Sequence, residues 1–231
     1  MTSSTTNKEQ RRQERLKREQ QAARTRTTRA LRLRMFAGIA AAVAILGVIF
    51  ATSNQGGSSA GGKFAFQVGR PGPGQPAPAI DLAATQGGTF SLAAQHGKTT
   101  LLYFQEGLTC QPCWDQLKDL DTHLAPLKAL GIDQIVTITT DPLDALRQKA
   151  SDEGLTTPVL SDLNLTASQA YAANQYGMMG NSRDGHSFVV VGPNGTIRWR
   201  ADYGGAPNYT MYVPVPSLLA DIRKGLRANG T

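Results

Sequence analysis

The apolar run 101-LLYF-104 is followed, after a turn over residues 105–109, by the only two cysteines of the chain, Cys110 and Cys113, with Gln111 and Pro112 between them. Helix signals begin at Pro112 and continue through Trp114, Leu117, Leu120 and Leu124. Proline suits a first helical turn, where its missing N–H costs nothing. A strand that is buried by composition therefore leads into a helix whose N-terminus carries both sulfurs, and that helix has to pack back against the sheet. A structural staple is a poor reading of the pair, since closing so short a loop removes little entropy from the unfolded chain. Zinc wants about four ligands, and the chain offers, besides these cysteines, only His96, His123 and His186. Haem attachment needs a histidine directly after the second cysteine, where Trp114 stands. What remains is redox chemistry. Unpaired N–H groups and the positive end of the helix dipole favour a thiolate, the species that attacks disulfides and peroxides, and the second sulfur is near enough to resolve the product.

Strand and helix signals alternate from about residue 80. Runs rich in β-branched and aromatic residues occur at 99-TTLLYF-104, 132-IDQIVTIT-139, 187-SFVVV-191 and 196-TIRWRA-201, the last two joined by Gly192-Pro193-Asn194-Gly195. Helices are expected over 112–124, 142–153, 165–173 and 214–227. Such alternation predicts an α/β domain with a central mixed sheet flanked by helices and a hairpin at 187–201.

The first third of the chain reads differently. Residues 1–34 hold eleven of the 24 lysines and arginines against Glu9, Glu14 and Glu19, a local charge of +8, whereas the rest carries 13 basic and 14 acidic groups. The formal +7 thus describes a tail, and no nucleic-acid-binding surface is expected on the folded part. The uncharged run 35-MFAGIAAAVAILGVIFA-51 follows; as a helix it spans roughly 25 Å, the short end of what a bilayer requires. The cationic flank puts the N-terminus in the cytoplasm. The expected organisation is a basic cytoplasmic tail (1–34), an uncleaved transmembrane signal anchor (35–52), a flexible Gly/Ser/Pro-rich tether (53–75) and one domain (76–231) outside the plasma membrane.

Strand, turn, Cys-x-Pro-Cys and helix resemble the active site of the thioredoxin-like fold. Residues 70–227 resemble the redoxin group that unites membrane-tethered thiol–disulfide oxidoreductases with peroxiredoxins, the alkyl hydroperoxide reductase/thiol-specific antioxidant family. The resemblance includes 72-GPGQPAPAIDL-82, 137-TITTD-141, 158-PVLSDLN-164 and 188-FVVVGPNGTI-197. In the oxidoreductases the first cysteine is the exposed nucleophile and the second the buried resolver, which carried over are Cys110 and Cys113. Peroxiredoxins read Pro-x-x-x-Thr-x-x-Cys after the same strand. Counted here, Glu106 stands for the proline, Cys110 for the threonine and Cys113 on the peroxidatic cysteine, so two of the motif positions are lost. Where the oxidoreductases place a cis-proline and peroxiredoxins an arginine, this chain has His186, which beside a thiolate would act as imidazolium or pass a proton; Arg183 is the other source of positive charge. Glu106 is expected on an exposed loop, with a proton-accepting role toward Cys113 only if buried. Trp114 either covers the sulfurs or begins its helix's apolar face. Tyr171, Tyr176, Met178 and Met179 are expected to pack or line a loop.

The leading expectation is a membrane-tethered thiol–disulfide oxidoreductase acting on protein thiols and disulfides or a redox partner, with catalytic residues Cys110, Cys113 and His186 and no organic cofactor. A thiol-dependent peroxidase acting on hydroperoxides is the alternative. A copper-binding assembly factor is the third class, since soft methionine sulfur lies near the cysteine pair in sequence.

Overall fold

The computed structural model describes residues 63–229, and in them the apolar runs become strands of one mixed sheet. The strands are β1 (Asp81–Ala84), β2 (Thr89–Ser91), β3 (Thr100–Phe104), β4 (Gln134–Thr139), β5 (Val159–Ser161), β6 (Ser187–Val191) and β7 (Ile197–Asp202). They lie in the order β2-β1-β5-β4-β3-β6-β7. β3, β4 and β5 run parallel, as their helical crossovers require, while β6 pairs antiparallel with both β3 and β7. The helices are α1 (Gln111–Thr122), α2 (Leu124–Lys128), α3 (Leu143–Asp152), α4 (Thr166–Ala170) and α5 (Val215–Ala228).

Alternation along the central strands fills two cores. Leu101, Tyr103, Phe188 and Val190 face Trp114, Leu117 and Leu120 of α1 and Leu218 and Ile222 of α5. Leu102, Phe104, Val189 and Val191 face the other way, with Ile80 and Tyr171. Each such side chain, fully buried, contributes about 1.5–3 kcal/mol. The sheet is thus clamped between layers, and β3 delivers the cysteines at its C-terminal end.

Several details differ from the expected elements. β1, β2 and β5, of three or four residues each, are too short to show a period, and β5 is held by pairing with Thr137 to Thr139 of β4 on one side and with Ala83 and Ala84 of β1 on the other. The helix expected over 112–124 is interrupted at His123, whose φ of −112° and ψ of 28° end α1 before α2 resumes. The helix expected over 165–173 stops at Ala170, and buried Tyr171 packs at 5.2 Å from Phe104.

Residues 64–75, expected as tether, are packed on the domain. Phe66 is buried against Tyr203 (5.2 Å between ring centroids) and Trp199 (6.1 Å). Gln67 pairs with Asp202 through two backbone hydrogen bonds of 3.0 and 2.8 Å. Arg200 forks onto Asp202 (2.9–3.1 Å) and donates to Pro71 O (3.0 Å), while Gly69 N donates to Asp202 Oδ2 (2.7 Å). The segment so covers part of edge strand β7, whose unpaired backbone would otherwise invite other chains. The basic tail, the expected membrane span 35–52 and residues 53–62 of the tether lie outside the described residues. Among the described residues no helix is long and apolar enough to cross a membrane.

Candidate redox site

The loop from β3 to α1 is shaped around Asp141, a buried residue just beyond β4. Its Oδ2 accepts from Leu108 N (2.8 Å) and Thr139 Oγ1 (3.2 Å), and its Oδ1 accepts from Arg183 Nη1 (2.8 Å). Gly107 passes this carboxylate at φ +85°, and an added Cβ would overlap Asp141 Oδ2 and Thr139 Oγ1. The carbonyl of Gly107 accepts from Cys110 N (3.0 Å) and from the Trp114 indole (3.0 Å). Trp114 is fully buried in the α1 core, so it both begins the apolar face and anchors the loop.

Cys110 is the N-cap of α1, and its Sγ accepts the N–H of Cys113 at 3.3 Å. A donor aimed at that sulfur, at the positive end of the helix, is what stabilises a thiolate. The two cysteines are joined in a disulfide with Cα atoms 5.3 Å apart. Cys110 keeps 6 % of its surface exposed and Cys113 none, so an incoming reagent meets Cys110 first. Met211 packs against the pair.

His186 immediately precedes β6 and is fully buried. Its Nδ1 is 3.0 Å from the hydroxyl of Tyr103, which is 3.2 Å from the carbonyl oxygen of Cys113. Burial pushes the imidazole down to about 3. The imidazolium expected beside the thiolate is therefore disfavoured: no carboxylate is bonded to this ring to offset its desolvation, and at neutral pH it carries no charge. Arg183 does not supply the missing charge, because its guanidinium is engaged by Asp141 and by Glu106 O (3.1 Å).

Glu106 is buried, not an exposed loop residue. Its Oε1 accepts from the backbone N–H groups of Met178 and Met179 (3.3 Å for the latter), tying the 176–183 segment to the cysteine loop. Tyr171 and Tyr176 pack as expected, with Tyr171 donating to Pro78 O at 2.8 Å and the Tyr176 ring 5.6 Å from the Arg200 guanidinium. Met178 and Met179 are exposed. Sequence reasoning missed Asp141 and Tyr103. Asp141 stood inside a segment quoted for resemblance only, and Tyr103 inside a strand where an aromatic residue reads as core. Among the described residues no group of three or more His, Cys, Asp or Glu side chains is placed to hold a metal ion.

A model of the AhpC/TSA family matches residues 73–200. The protein named "Putative peroxiredoxin Rv2521" of Mycobacterium tuberculosis is 33% identical over 130 residues, which cover 54% of this chain and 81% of that one. Among solved structures, peroxidoxin BcpB of Mycobacterium tuberculosis superposes with a TM-score of 0.55 at 16% identity over 66% of this chain and 97% of its own. Mycobacterium bovis AhpC does so with a TM-score of 0.55 at 18% identity, over 69% of this chain and 94% of its own. At that identity the superpositions establish the thioredoxin-like α/β fold, with its mixed sheet and helices.

Proposed function

The chain belongs to the AhpC/TSA family, and from that premise we propose that it is a thiol-dependent peroxidase whose Cys110–Cys113 couple is oxidised by hydroperoxides and restored by a dithiol partner. The observation that carries this reading is the helix-capped sulfur of Cys110, the less buried of the two cysteines, with Cys113 already within bonding reach. The Cys110 thiolate attacks the outer peroxide oxygen; the S–O bond forms, the O–O bond breaks, and the leaving alkoxide takes up a proton as alcohol. Cys113 then attacks the Cys110 sulfenic acid, the S–S bond forms, and the oxygen leaves as water. Exchange with an external dithiol returns both thiols. Family membership thus moves the balance from protein disulfide exchange, the leading expectation, to peroxide reduction.

Exchange with protein disulfides is kept as a second reading by one observation: Glu106 and Cys110 occupy the proline and threonine positions of the peroxiredoxin motif. The test is hydroperoxide consumption by the full-length protein with a dithiol reductant. Cys110→Ser is expected to abolish turnover, and Cys113→Ser to stop it at a Cys110 sulfenic acid. Full turnover by Cys110→Ser would invert the roles. No turnover by the wild type, with rapid reduction of a model protein disulfide, would establish the second reading.

We place the domain outside the plasma membrane, anchored by residues 35–52, on the strength of the uncharged run and its cationic flank. Protease added to intact cells should then remove the redox domain, and protection of the domain until lysis would contradict this placement.

A further inference from the structure

We infer that the groove along the exposed face of α1 seats the segment of the reducing protein that carries its attacking cysteine, and that it selects segments with lysine or arginine close to that cysteine. This deepens the proposed function and rests on Cys110 being the sulfur that the reductant meets.

The groove, of about 670 Å³, is lined by Pro112, Asp115, Lys118, Asp119, Thr122 and Tyr212. Positions 112, 115, 119 and 122 recur at helical spacing and form one stripe of α1. The opposite wall is the chain just before α5, fastened to the cysteine helix residue by residue. Met211 packs on Cys110 and Cys113, the Tyr212 hydroxyl donates to Asp119 Oδ2 (2.8 Å), and Val213 N donates to Gln116 Oε1 (2.7 Å). Pro112 lies between the two cysteines, and Tyr212 follows the methionine that touches them, so one end of the groove borders the disulfide. Cys113 is closed off, and Cys110 alone shows surface. A reductant has to hold its thiolate against that one sulfur, and the groove is the adjoining surface shaped to hold it. An exposed tyrosine beside a proline, rimmed by charge, is the make-up of a protein contact.

Charge complementarity gives the chemistry of the occupant. Asp115 is met by a neutral donor, the Gln111 amide (2.9 Å), and Asp119 by the Tyr212 hydroxyl and the His123 ring (3.2 Å). Lys118 is drawn to Glu153, which Lys149 shares (2.7 Å each). Groove and border thus set three carboxylates against two ammonium groups, and the two carboxylates without a lysine or arginine of their own, Asp115 and Asp119, both line the groove. Along the helix Asp119 stands roughly 10 Å from Pro112, the reach of about three residues of extended chain. Cations within that distance of the partner's cysteine meet both acids. The partner's thiolate then attacks the Cys110 sulfur; a mixed disulfide forms, the Cys110–Cys113 bond breaks, and Cys113 leaves as thiolate. The partner's second thiolate attacks the partner's own first sulfur and releases Cys110. The couple gains the two electrons the partner loses, and the protons shed by the partner balance those taken up by the couple.

The test uses the oxidised full-length protein and two synthetic Cys-x-x-Cys peptides, alike except for lysines or glutamates flanking the cysteines. Reduction of the Cys110–Cys113 disulfide is followed by acid quench, alkylation and mass spectrometry. Each rate is divided by that of the same peptide on hydroxyethyl disulfide, which cancels the effect of the flanking charges on the peptide thiols. The lysine peptide is expected to be favoured about tenfold at low salt, the yield of two exposed ion pairs. That preference should fall to about one in Asp115→Asn/Asp119→Asn, and in strong salt. Equal rates for the two peptides on the wild type, a preference for glutamate, or a preference that the double variant or salt leaves intact would overturn the inference. So would self-association of the wild type that Tyr212→Ala abolishes, which would assign the groove to a second copy of the chain. Should the double variant fail to fold, Asp115→Asn alone decides, with an expected loss of about threefold. Because the peptides reduce a preformed disulfide and no hydroperoxide is added, failure of the peroxidase reading shows separately, in hydroperoxide consumption.

Discussion

A buried imidazole at residue 186 changes what acid does to the protein. Its folded value of about 3 lies below the ordinary histidine value of about 6.5, so between those limits the unfolded chain binds a proton that the folded chain refuses. His186 therefore costs nothing above pH 6.5 and progressively destabilises the fold as the pH drops, at about 1.4 kcal/mol per unit. Asp184 has the opposite sign. Its raised folded value gives a contribution fully present below the unfolded carboxylate value of about 3.9 and lost as the pH rises. Comparing the wild type with His186→Gln cancels Asp184. Between pH 7 and pH 5 the wild type should lose about 2 kcal/mol more than the variant in urea unfolding, and parallel losses would show that the ring is not held neutral. The same burial explains why the imidazolium expected from the sequence does not form. Position in the chain placed His186 opposite the cysteines, but desolvation by Tyr103, Phe188 and Tyr203 is a property of packing.

The β3–α1 loop is the element that aims the sulfurs, and Gly107 is its tightest point. Replacing Gly107 by Ala forces a left-handed backbone on a residue with a Cβ and drives that Cβ into Asp141 and Thr139. The expected cost is about 2 kcal/mol or more, measured by thermal unfolding. Because Asp141 also holds Arg183, the variant should loosen the 176–183 segment, visible as faster amide exchange at Met178 and Met179; unchanged exchange would mean that the two loops are held independently. Strands β3, β6 and β7 were legible because runs such as 187-SFVVV-191 are buried on both faces. β1, β2 and β5 were not, since three or four residues with alanine, serine and threonine carry no period. The N-terminal position of both cysteines on α1 was legible from Pro112. Glu106 was not: its burial depends on backbone N–H groups more than seventy residues away, a contact no local pattern encodes.

For the molecule as a whole, the folded unit begins earlier than the change of composition suggests. Gly/Pro-rich segments read as tether, yet Phe66 enters the core beside Trp199 and Tyr203, and Arg200 and Asp202 fasten residues 69–71 to β7. Phe66→Ala should cost about 3–5 kcal/mol, and a chain beginning at residue 76 should unfold at lower urea than one beginning at residue 63. Equal stability of the two would make the 64–75 contacts incidental. On this scaffold the chemistry is confined to one couple, in which Cys110 meets the reagent and Cys113 completes the bond. The most direct measurement is peptide mapping by mass spectrometry of the reduced full-length protein after one equivalent of hydroperoxide. The expected result is a Cys110–Cys113 disulfide in the wild type and sulfenic acid on Cys110 in Cys113→Ser; stable oxidation of Cys113 with Cys110 still a free thiol would contradict it.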